Sequence, residues 1–334
     1  MDAERYFVRP FTERDYEASS HIDAVVNPEF TFTAKEQRHW EEQFATPHLV
    51  DEKWVVEERR NGTVVAVAGM GHSPFMFHPR KFWTYVVVDP AHRGRGIGRA
   101  LAGLLESEAA SHQALCFWTS VRKDDARSLE FTRRLGFAEL RRVWMSTLDL
   151  SRDDLTVLPD RTASLEREGI RFTTLAEEGP ERPEVRQELF DLLSEASRDV
   201  PRMGEFTPIS FEQFVGEFAS PSFLPDGTFL AVDGKTYAAM SNFERSFTEK
   251  DGLRVGFTGT RAAYRGRGIA SELKRRALEY ARGKGIRYVR TMNDSLNLPM
   301  WAINQKQGFR RTVEWINQER RMALEEPPKA TSSP

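Results

Sequence analysis

The stretch Arg93-Gly94-Arg95-Gly96-Ile97-Gly98 follows an apolar run that ends at Val88 and precedes a segment with apolar residues at helical spacing. This order predicts a strand, a glycine-rich loop and a helix. Glycine has no Cβ, so the loop backbone can curl and approach a ligand closely. The helix that follows adds unpaired N–H groups and the positive end of its dipole, and arginine is suited to oxygen-rich anions. The stretch therefore predicts a pyrophosphate site.

The same loop occurs a second time, as Arg265-Gly266-Arg267-Gly268-Ile269-Ala270. A second motif, Leu135-Gly136-Phe137, is matched by Gln307-Gly308-Phe309. The two counterparts keep a common offset along the chain, since the loop recurs from position 93 to 265 and the Gly-Phe motif from 136 to 308. Two motifs that keep one spacing predict a duplicated domain. The alternative for a single copy, a glycine-rich turn with surface arginines, is disfavoured for two.

The predicted boundary between the copies is a polar segment that contains Pro159. We predict a first domain over residues 1–150, a linker over 151–169 and a second domain over 170–324. The tail over 325–334 is rich in Pro, Ser and Thr, which predicts disorder. In each half, strand-like runs alternate with helical patterns, which predicts an α/β (α+β) fold with a mixed, mostly antiparallel sheet flanked by helices. Residues 138–148 are expected to close the first domain.

Composition excludes several classes of protein. The net charge is -2, so no basic excess is present to neutralise nucleic acid. The one cysteine, Cys116, cannot form an internal disulfide, and no cysteine or histidine spacing predicts a metal site. No apolar stretch reaches the roughly 18 residues that span a bilayer, and residues 1–6 lack an apolar signal core. We therefore expect a cytoplasmic protein without nucleic-acid or membrane partners.

The two loops resemble the acetyl-CoA signature [RQ]-x-x-G-x-[GA] of the GNAT superfamily, and the downstream Gly-Phe pairs resemble its terminal mark. Tandem pairs of this kind are similar to the mycothiol synthase family and related actinobacterial two-domain acetyltransferases. The resemblance spans nearly the whole chain. It implies an N-acetyltransferase that moves an acetyl group from acetyl-CoA to a primary amine of a small molecule or peptide.

The resemblance also implies which residues bind acetyl-CoA. Two strand ends are expected to hold the pantetheine arm, and the two loops are expected to hold the pyrophosphate. Asn297 matches a position that often contacts the cofactor, although it could equally cap the short helix that opens at Pro299. The expected residues are Val86, Val87, Val88, Arg93, Gly94, Arg95, Gly96, Ile97, Gly98, Thr258, Gly259, Thr260, Arg265, Gly266, Arg267, Gly268, Ile269, Ala270 and Asn297.

The catalytic groups of the family are not matched. The strands before the loops lack the usual Glu, and Thr132 and Asn304 stand where many members have a Tyr. Glu244 is the predicted general base, and a solvated strand-end carboxylate is the alternative. A helix over 33–44 is expected to line the first acceptor pocket.

Two functions remain open at this point. One is an enzyme whose chemistry lies in the second half, where asparagines replace the charged residues 122–127. The other is a non-catalytic acyl-CoA-binding or scaffold protein made of degenerate GNAT domains.

Overall fold

The computed structural model describes residues 1–29, 31–152, 159–246 and 249–322. The predicted disordered tail, 325–334, lies outside these residues. The first half contains, in chain order, β1 (Tyr6–Pro10), α1 (Tyr16–Val26), α2 (Ala34–Phe44), β2 (Asp51–Glu58), β3 (Thr63–Gly71), β4 (Lys81–Val88), α3 (Ile97–Ser111), β5 (Cys116–Arg122), α4 (Ala126–Arg134) and β6 (Ala138–Asp149).

The second half contains α5 (Thr162–Arg167), β7 (Ile170–Thr174), α6 (Leu175–Glu178), α7 (Pro183–Ala196), α8 (Phe211–Gly216), β8 (Thr228–Asp233), β9 (Thr236–Arg245), β10 (Gly252–Thr260), α9 (Ile269–Gly283), β11 (Tyr288–Asp294), α10 (Leu298–Lys306) and β12 (Arg310–Arg321). Helix α5 lies inside the segment that the sequence predicts as a linker. The Leu165 side chain of this helix is buried in a hydrophobic core, so this part of the segment packs against the rest of the domain.

The chain forms two compact units that do not coincide with the two sequence halves. Unit 1 comprises Met1–Ala34, Ala45–Arg141 and the described residues from Trp315 onward. Unit 2 comprises Lys35–Phe44 and the described part of Arg142–Glu314. Most of α2 therefore belongs to unit 2, although its sequence lies in the first half.

The halves exchange their last strands. The sequence analysis expected residues 138–148 to close the first domain, which is wrong. In the structure, Val143–Asp149 of β6 pair antiparallel with β11 in unit 2, whereas Trp315–Arg321 of β12 pair antiparallel with β5 in unit 1. The two strands span equivalent repeat positions, 138–149 and 310–321, so each has the length that the other's partner requires.

Each unit is a mixed sheet with helices packed against it. The strand order is β1-β2-β3-β4-β5 followed by Trp315–Arg321 of β12 in unit 1, and Val143–Asp149 of β6 followed by β11-β10-β9-β8-β7 in unit 2. Strands β4 and β5 pair in parallel, as do β10 and β11, and the other pairings described within the units are antiparallel. This confirms the predicted α/β class and the mostly antiparallel sheet.

The helices after the two loops are positioned by matching apolar stripes. Helix α3 buries a side chain every four residues, at Ile97, Leu101, Leu105 and Ala109. Helix α9 repeats the stripe at the equivalent positions of the second copy, Ile269, Leu273, Ala277 and Ala281. A stripe with this spacing lies along one helix face and packs on the sheet. Each helix N-terminus is thereby fixed at the end of the preceding strand.

The strand exchange can be tested with the chain's own cysteine. Cys116 and Arg321 face each other across β5 and β12, and the bond from Met322 N to Leu115 O marks them as a non-hydrogen-bonded pair. Such pairs have Cα atoms about 4.5 Å apart, within the range of a disulfide. We expect Arg321→Cys to form a disulfide with Cys116, counted as the loss of both free thiols after denaturation.

The experiment requires a chemical oxidant, because burial raises the pKa of the Cys116 thiol to about 12 and little thiolate forms near neutral pH. Arg320→Cys is the matched control, since the adjacent side chain points to the other face of the strand. It should keep two free thiols. Two free thiols in oxidised Arg321→Cys as well would contradict the exchanged pairing.

Candidate functional site

The two glycine-rich loops have the same backbone geometry. Gly94 and Gly96 have φ angles of 81° and 78°, and Gly266 and Gly268 have 78° and 84°. This left-handed conformation is readily open only to glycine. Gly96 and Gly268 each precede the first residue of a 15-residue helix. The unpaired N–H groups of each first helical turn therefore face the curled loop, which is the arrangement that binds phosphate oxygens.

The arginines of the loops contact protein groups. Arg93 Nε donates to the carbonyl oxygen of Val88, and Arg265 Nε donates to that of Thr260, both at 3.1 Å. The first arginine of each motif thus ties the loop to the end of its strand. Arg267 forms an ion pair with Glu168 at 2.8 Å. A cofactor contact from these arginines stays a prediction, and the backbone of the loop is the feature already shaped for an anion.

Each pair of parallel strands separates just before its loop. Strands β4 and β5 pair only over Lys81–Trp83, and β10 and β11 only over Gly252–Arg254. Beyond these points, among the described residues, Val86–Val88 and Thr258–Thr260 pair with a neighbour on one side alone. Apart from the Val88 and Thr260 carbonyls, which accept from Arg93 and Arg265, their other edge has N–H and C=O groups without a strand partner, which fit the amides of a pantetheine arm.

Helix α10 and the residue that follows it carry buried hydrogen-bonding groups without partners among the described residues. The side-chain amides of Asn304 and Gln307 are buried, and none of their nitrogen or oxygen atoms has a partner in the described part of the chain. Buried polar atoms are normally paired, so these atoms could accept a polar ligand. The equivalent residues of unit 1 are Thr132, whose hydroxyl bonds within its own helix, and the apolar Leu135. The unsatisfied groups are thus a feature of unit 2.

Asn297 caps helix α10. Its Oδ1 accepts a hydrogen bond from Met300 N at 3.3 Å. Asp125 caps α4 in the same way, accepting from Ser128 N at 2.9 Å. The structure therefore shows the capping role that the sequence analysis gave as an alternative. A cofactor contact by Asn297 stays a prediction.

The carboxylate of Glu244 lies over an irregular part of β10. Glu244 is directly opposite Arg254 in the hairpin, and β10 carries one extra residue between Val255 and Thr258, which forms a β-bulge. A Cβ atom on Gly256 would lie 2.5 Å from Glu244 Oε1. No described residue donates a hydrogen bond to this carboxylate. The absence of a side chain at position 256 therefore leaves the space that Glu244 occupies.

Other carboxylates lie near Glu244. Glu36 of α2 is buried and forms an ion pair with Arg254 at 2.9 Å. Glu217 accepts a hydrogen bond from Gln43 at 2.8 Å. Burial raises the pKa of Glu244 above its usual value, Arg254 opposes that rise, and the charges of Glu217 and Glu36 add to it. The Glu244 carboxyl is therefore easier to protonate than an ordinary glutamate.

The helix expected over 33–44 forms as α2. Its Gln43 and Glu36 side chains contact Gln213 and Arg254 of unit 2, and its place beside an acceptor pocket stays a prediction. The sequence analysis did not identify Glu36, Glu217 or Arg254. Their place beside Glu244 depends on the hairpin register, which puts Arg254 opposite Glu244, and on contacts between distant segments.

Unit 1 lacks this carboxylate arrangement. At the repeat offset of the two loops, His72 is the counterpart of Glu244, and Phe82 is the counterpart of Arg254. The two rings stack at a centroid distance of 4.5 Å, and His72 Nδ1 accepts a hydrogen bond from Val50 N. Burial lowers the pKa of His72 to about 4, so the ring is neutral near pH 7. The register of β3 and β4 contains no bulge.

Comparison with known proteins agrees with this geometry. The family model of the acetyltransferase (GNAT) family matches residues 19–137 and 187–309, one match in each half. A mycothiol acetyltransferase from Streptomyces bingchenggensis is 30% identical over 231 residues, which cover 67% of this chain and 68% of that protein.

Two solved structures share the whole fold. A GCN5-related N-acetyltransferase from Sphaerobacter thermophilus superposes with a TM-score of 0.69 at 18% identity, covering 97% of this chain and 98% of that one. A tandem GNAT protein from the clavulanic acid biosynthesis pathway gives a TM-score of 0.70 at 19% identity, covering 96% and 100%. Among the described residues, no helix has the length and apolar composition needed to cross a membrane. The glycine loops, the separated strands and the two family matches together show that the chain belongs to the GNAT acetyltransferase family, with two GNAT domains in tandem.

Proposed function

We propose that this protein transfers an acetyl group from acetyl-CoA to a primary amine of a small molecule or peptide, and that the chemistry takes place in unit 2. The observation that carries the proposal is the Glu244 carboxylate, which lies over Gly256 at the bulge of β10. It combines with an intact loop at Gly268 and with the unsatisfied amides of Asn304 and Gln307. Unit 1 has the loop but lacks the carboxylate.

The residues of unit 2 have separate roles in binding and catalysis. Acetyl-CoA, when bound, supplies an acetyl thioester as the acyl donor. The loop amides from Gly266 to Ala270 would hold its diphosphate, and the open edge of Thr258–Thr260 would hold its pantetheine amides. Glu244 takes the proton that the amine nitrogen must lose before or as it attacks. The attack forms the amide C–N bond and breaks the thioester C–S bond, and the released CoA thiolate takes a proton from solvent water. A carboxylate with a raised pKa suits this role, because its basicity is closer to that of the group it deprotonates.

The carboxylates near Glu244 also favour a cationic acceptor. Glu36, Glu217 and Glu244 are three acidic groups, and Arg254 is the cation that faces Glu244 directly across the hairpin. An ammonium group would compensate the remaining negative charge in this partly buried setting. The relative named mycothiol acetyltransferase supports an acetyltransferase reaction, and the acceptor of the present chain is proposed from these charges.

Unit 1 is proposed to bind acyl-CoA without catalysis. Its loop and strand separation match those of unit 2, but a neutral His72 stacked on Phe82 fills the position of the proposed base. The sequence left open a non-catalytic binding role for the whole chain. The proposal gives that role to unit 1 alone. A whole chain without catalysis is the competing possibility, and turnover with any amine excludes it.

The loop of unit 2 can be tested by binding. Gly268→Val would force a branched side chain into a backbone with φ of 84° directly before α9, which distorts the loop. We expect titration calorimetry with acetyl-CoA to show one site fewer than in the wild-type protein. Gly283→Ala is the matched control, since a Cβ there meets no atom within 4 Å. An unchanged number of sites in Gly268→Val would contradict the loop assignment.

The proposed base can be tested by kinetics. An amine panel is first screened for thiol release from acetyl-CoA. With the best acceptor, we expect Glu244→Gln to lower kcat/KM by roughly 100-fold or more, because the amide cannot accept a proton. Glu212→Gln, an exposed carboxylate on α8, is the control and should retain wild-type rates.

The pH profile gives a second measurement on the same variants. Because the pKa of Glu244 is raised, activity should rise with pH through a value above that of an ordinary glutamate, and this limb should be absent in Glu244→Gln. Turnover should also fall much further in Gly268→Val than in Gly96→Val. Equal activity of Glu244→Gln and the wild type would remove Glu244 from the mechanism, and the reverse loop pattern would assign the chemistry to unit 1.

A further inference from the structure

Arg161 lies directly over the loop of unit 2, although it comes from the segment that precedes the second repeat. A Cβ atom on Gly268 would lie 3.0 Å from Arg161 Cδ, 3.1 Å from its Nε and 3.4 Å from its Cζ. The guanidinium group is therefore close to the left-handed glycine at the start of α9. The sequence motif does not reveal this arginine, because Arg161 lies far from the loop along the chain.

A buried carboxylate holds Arg161 in this place. Glu272 on the first turn of α9 is fully buried, and its Oε2 accepts a hydrogen bond from Arg161 N at 3.1 Å. Its Oε1 accepts from the Thr162 hydroxyl at 2.9 Å. Glu272 also pairs with Arg275 and Arg276 at 2.7 and 2.9 Å. The start of α5 is thus fixed against α9 by the Arg161 backbone N–H and the Thr162 hydroxyl. The Arg161 side chain takes no part in these hydrogen bonds.

The charge of Arg161 is not compensated by the described part of the protein. The neighbouring arginines have acidic partners: Arg265 pairs with Asp199, and Arg267 pairs with Glu168. No carboxylate among the described residues lies within ion-pair distance of the Arg161 guanidinium. An exposed arginine without a partner is common on a protein surface. Here, however, it lies against a helix N-terminus and a loop already shaped for an anion, where both the dipole and the guanidinium attract phosphate oxygens.

We propose that Arg161 is a phosphate-binding residue of the second acetyl-CoA site. This inference rests on the proposed function and adds a contact from outside the family signature. The phosphate oxygens could belong to the diphosphate bridge or to the 3′-phosphate of the ribose, since both present the same chemistry to a guanidinium group. Because the first turn of α9 is nearby, the loop amides and Arg161 are placed to bind one ligand from two sides.

The test is titration calorimetry of Arg161→Gln with acetyl-CoA and with acetyl-3′-dephospho-CoA. A charge-assisted hydrogen bond is lost, so we expect the Kd of the second site for acetyl-CoA to rise about tenfold. Arg161→Lys, which keeps the charge but not the planar fork, should give an intermediate Kd. Arg167→Gln is the control, because Arg167 is exposed at the end of α5, the helix that follows Arg161, and donates to Ala163 O within that helix. Melting temperatures without ligand check that the variants are folded.

The two ligands identify the phosphate. If Arg161→Gln weakens both ligands equally, Arg161 binds the diphosphate, and if it weakens acetyl-CoA alone, Arg161 binds the 3′-phosphate. Either result supports the proposal. Suppose that the wild type binds acetyl-CoA and that Gly268→Val loses one site. A Kd of Arg161→Gln for acetyl-CoA equal to or lower than that of the wild type would then overturn this inference and leave the proposed function standing. No binding of acetyl-CoA to the wild type would overturn both.

Discussion

Both candidate cofactor sites depend on two parallel strands that stay paired for three residues and then separate. Over Lys81–Trp83 and Gly252–Arg254 the sheet is continuous, and after these residues one strand keeps a single neighbour. A strand edge inside a domain would normally be costly, because its N–H and C=O groups lack partners. The separation is tolerated where a ligand can pair with the edge. The loop, the helix N-terminus and the open strand edge therefore form one candidate site in each unit.

The β9–β10 and β3–β4 hairpins differ by one extra residue. β10 carries one more residue than β9 between Val255 and Thr258, whereas the pairing of β3 with β4 is uninterrupted. The bulge, together with a glycine at 256, makes room for the Glu244 carboxylate. In unit 1 the same positions hold the stacked rings of His72 and Phe82. Duplication followed by such a local change can keep a cofactor site in both copies and change the chemistry beside only one of them.

Local sequence was enough to predict the loops, the helices that follow them and the α/β class. Those features follow from glycine conformation and apolar periodicity over short distances. The partner of β6 could not be predicted, because β6 and β12 occupy equivalent repeat positions and either could complete either sheet. The same limit applies to Glu36 and Arg161, which reach unit 2 from distant segments. Their roles depend on tertiary contacts, and neither residue lies in a recognisable motif.

The exchanged last strands have a consequence for synthesis on the ribosome. The outer edge of β5 pairs with residues 315–321, so unit 1 cannot complete its sheet until these residues have emerged from the ribosome. During that interval the edge is an exposed template for pairing with other nascent chains, and its own partner competes with β6, which emerges first. Correct folding therefore requires that β6 does not pair with β5 before β12 is available. The order in which the strands pair, rather than the stability of either domain alone, decides whether the native pairing is reached.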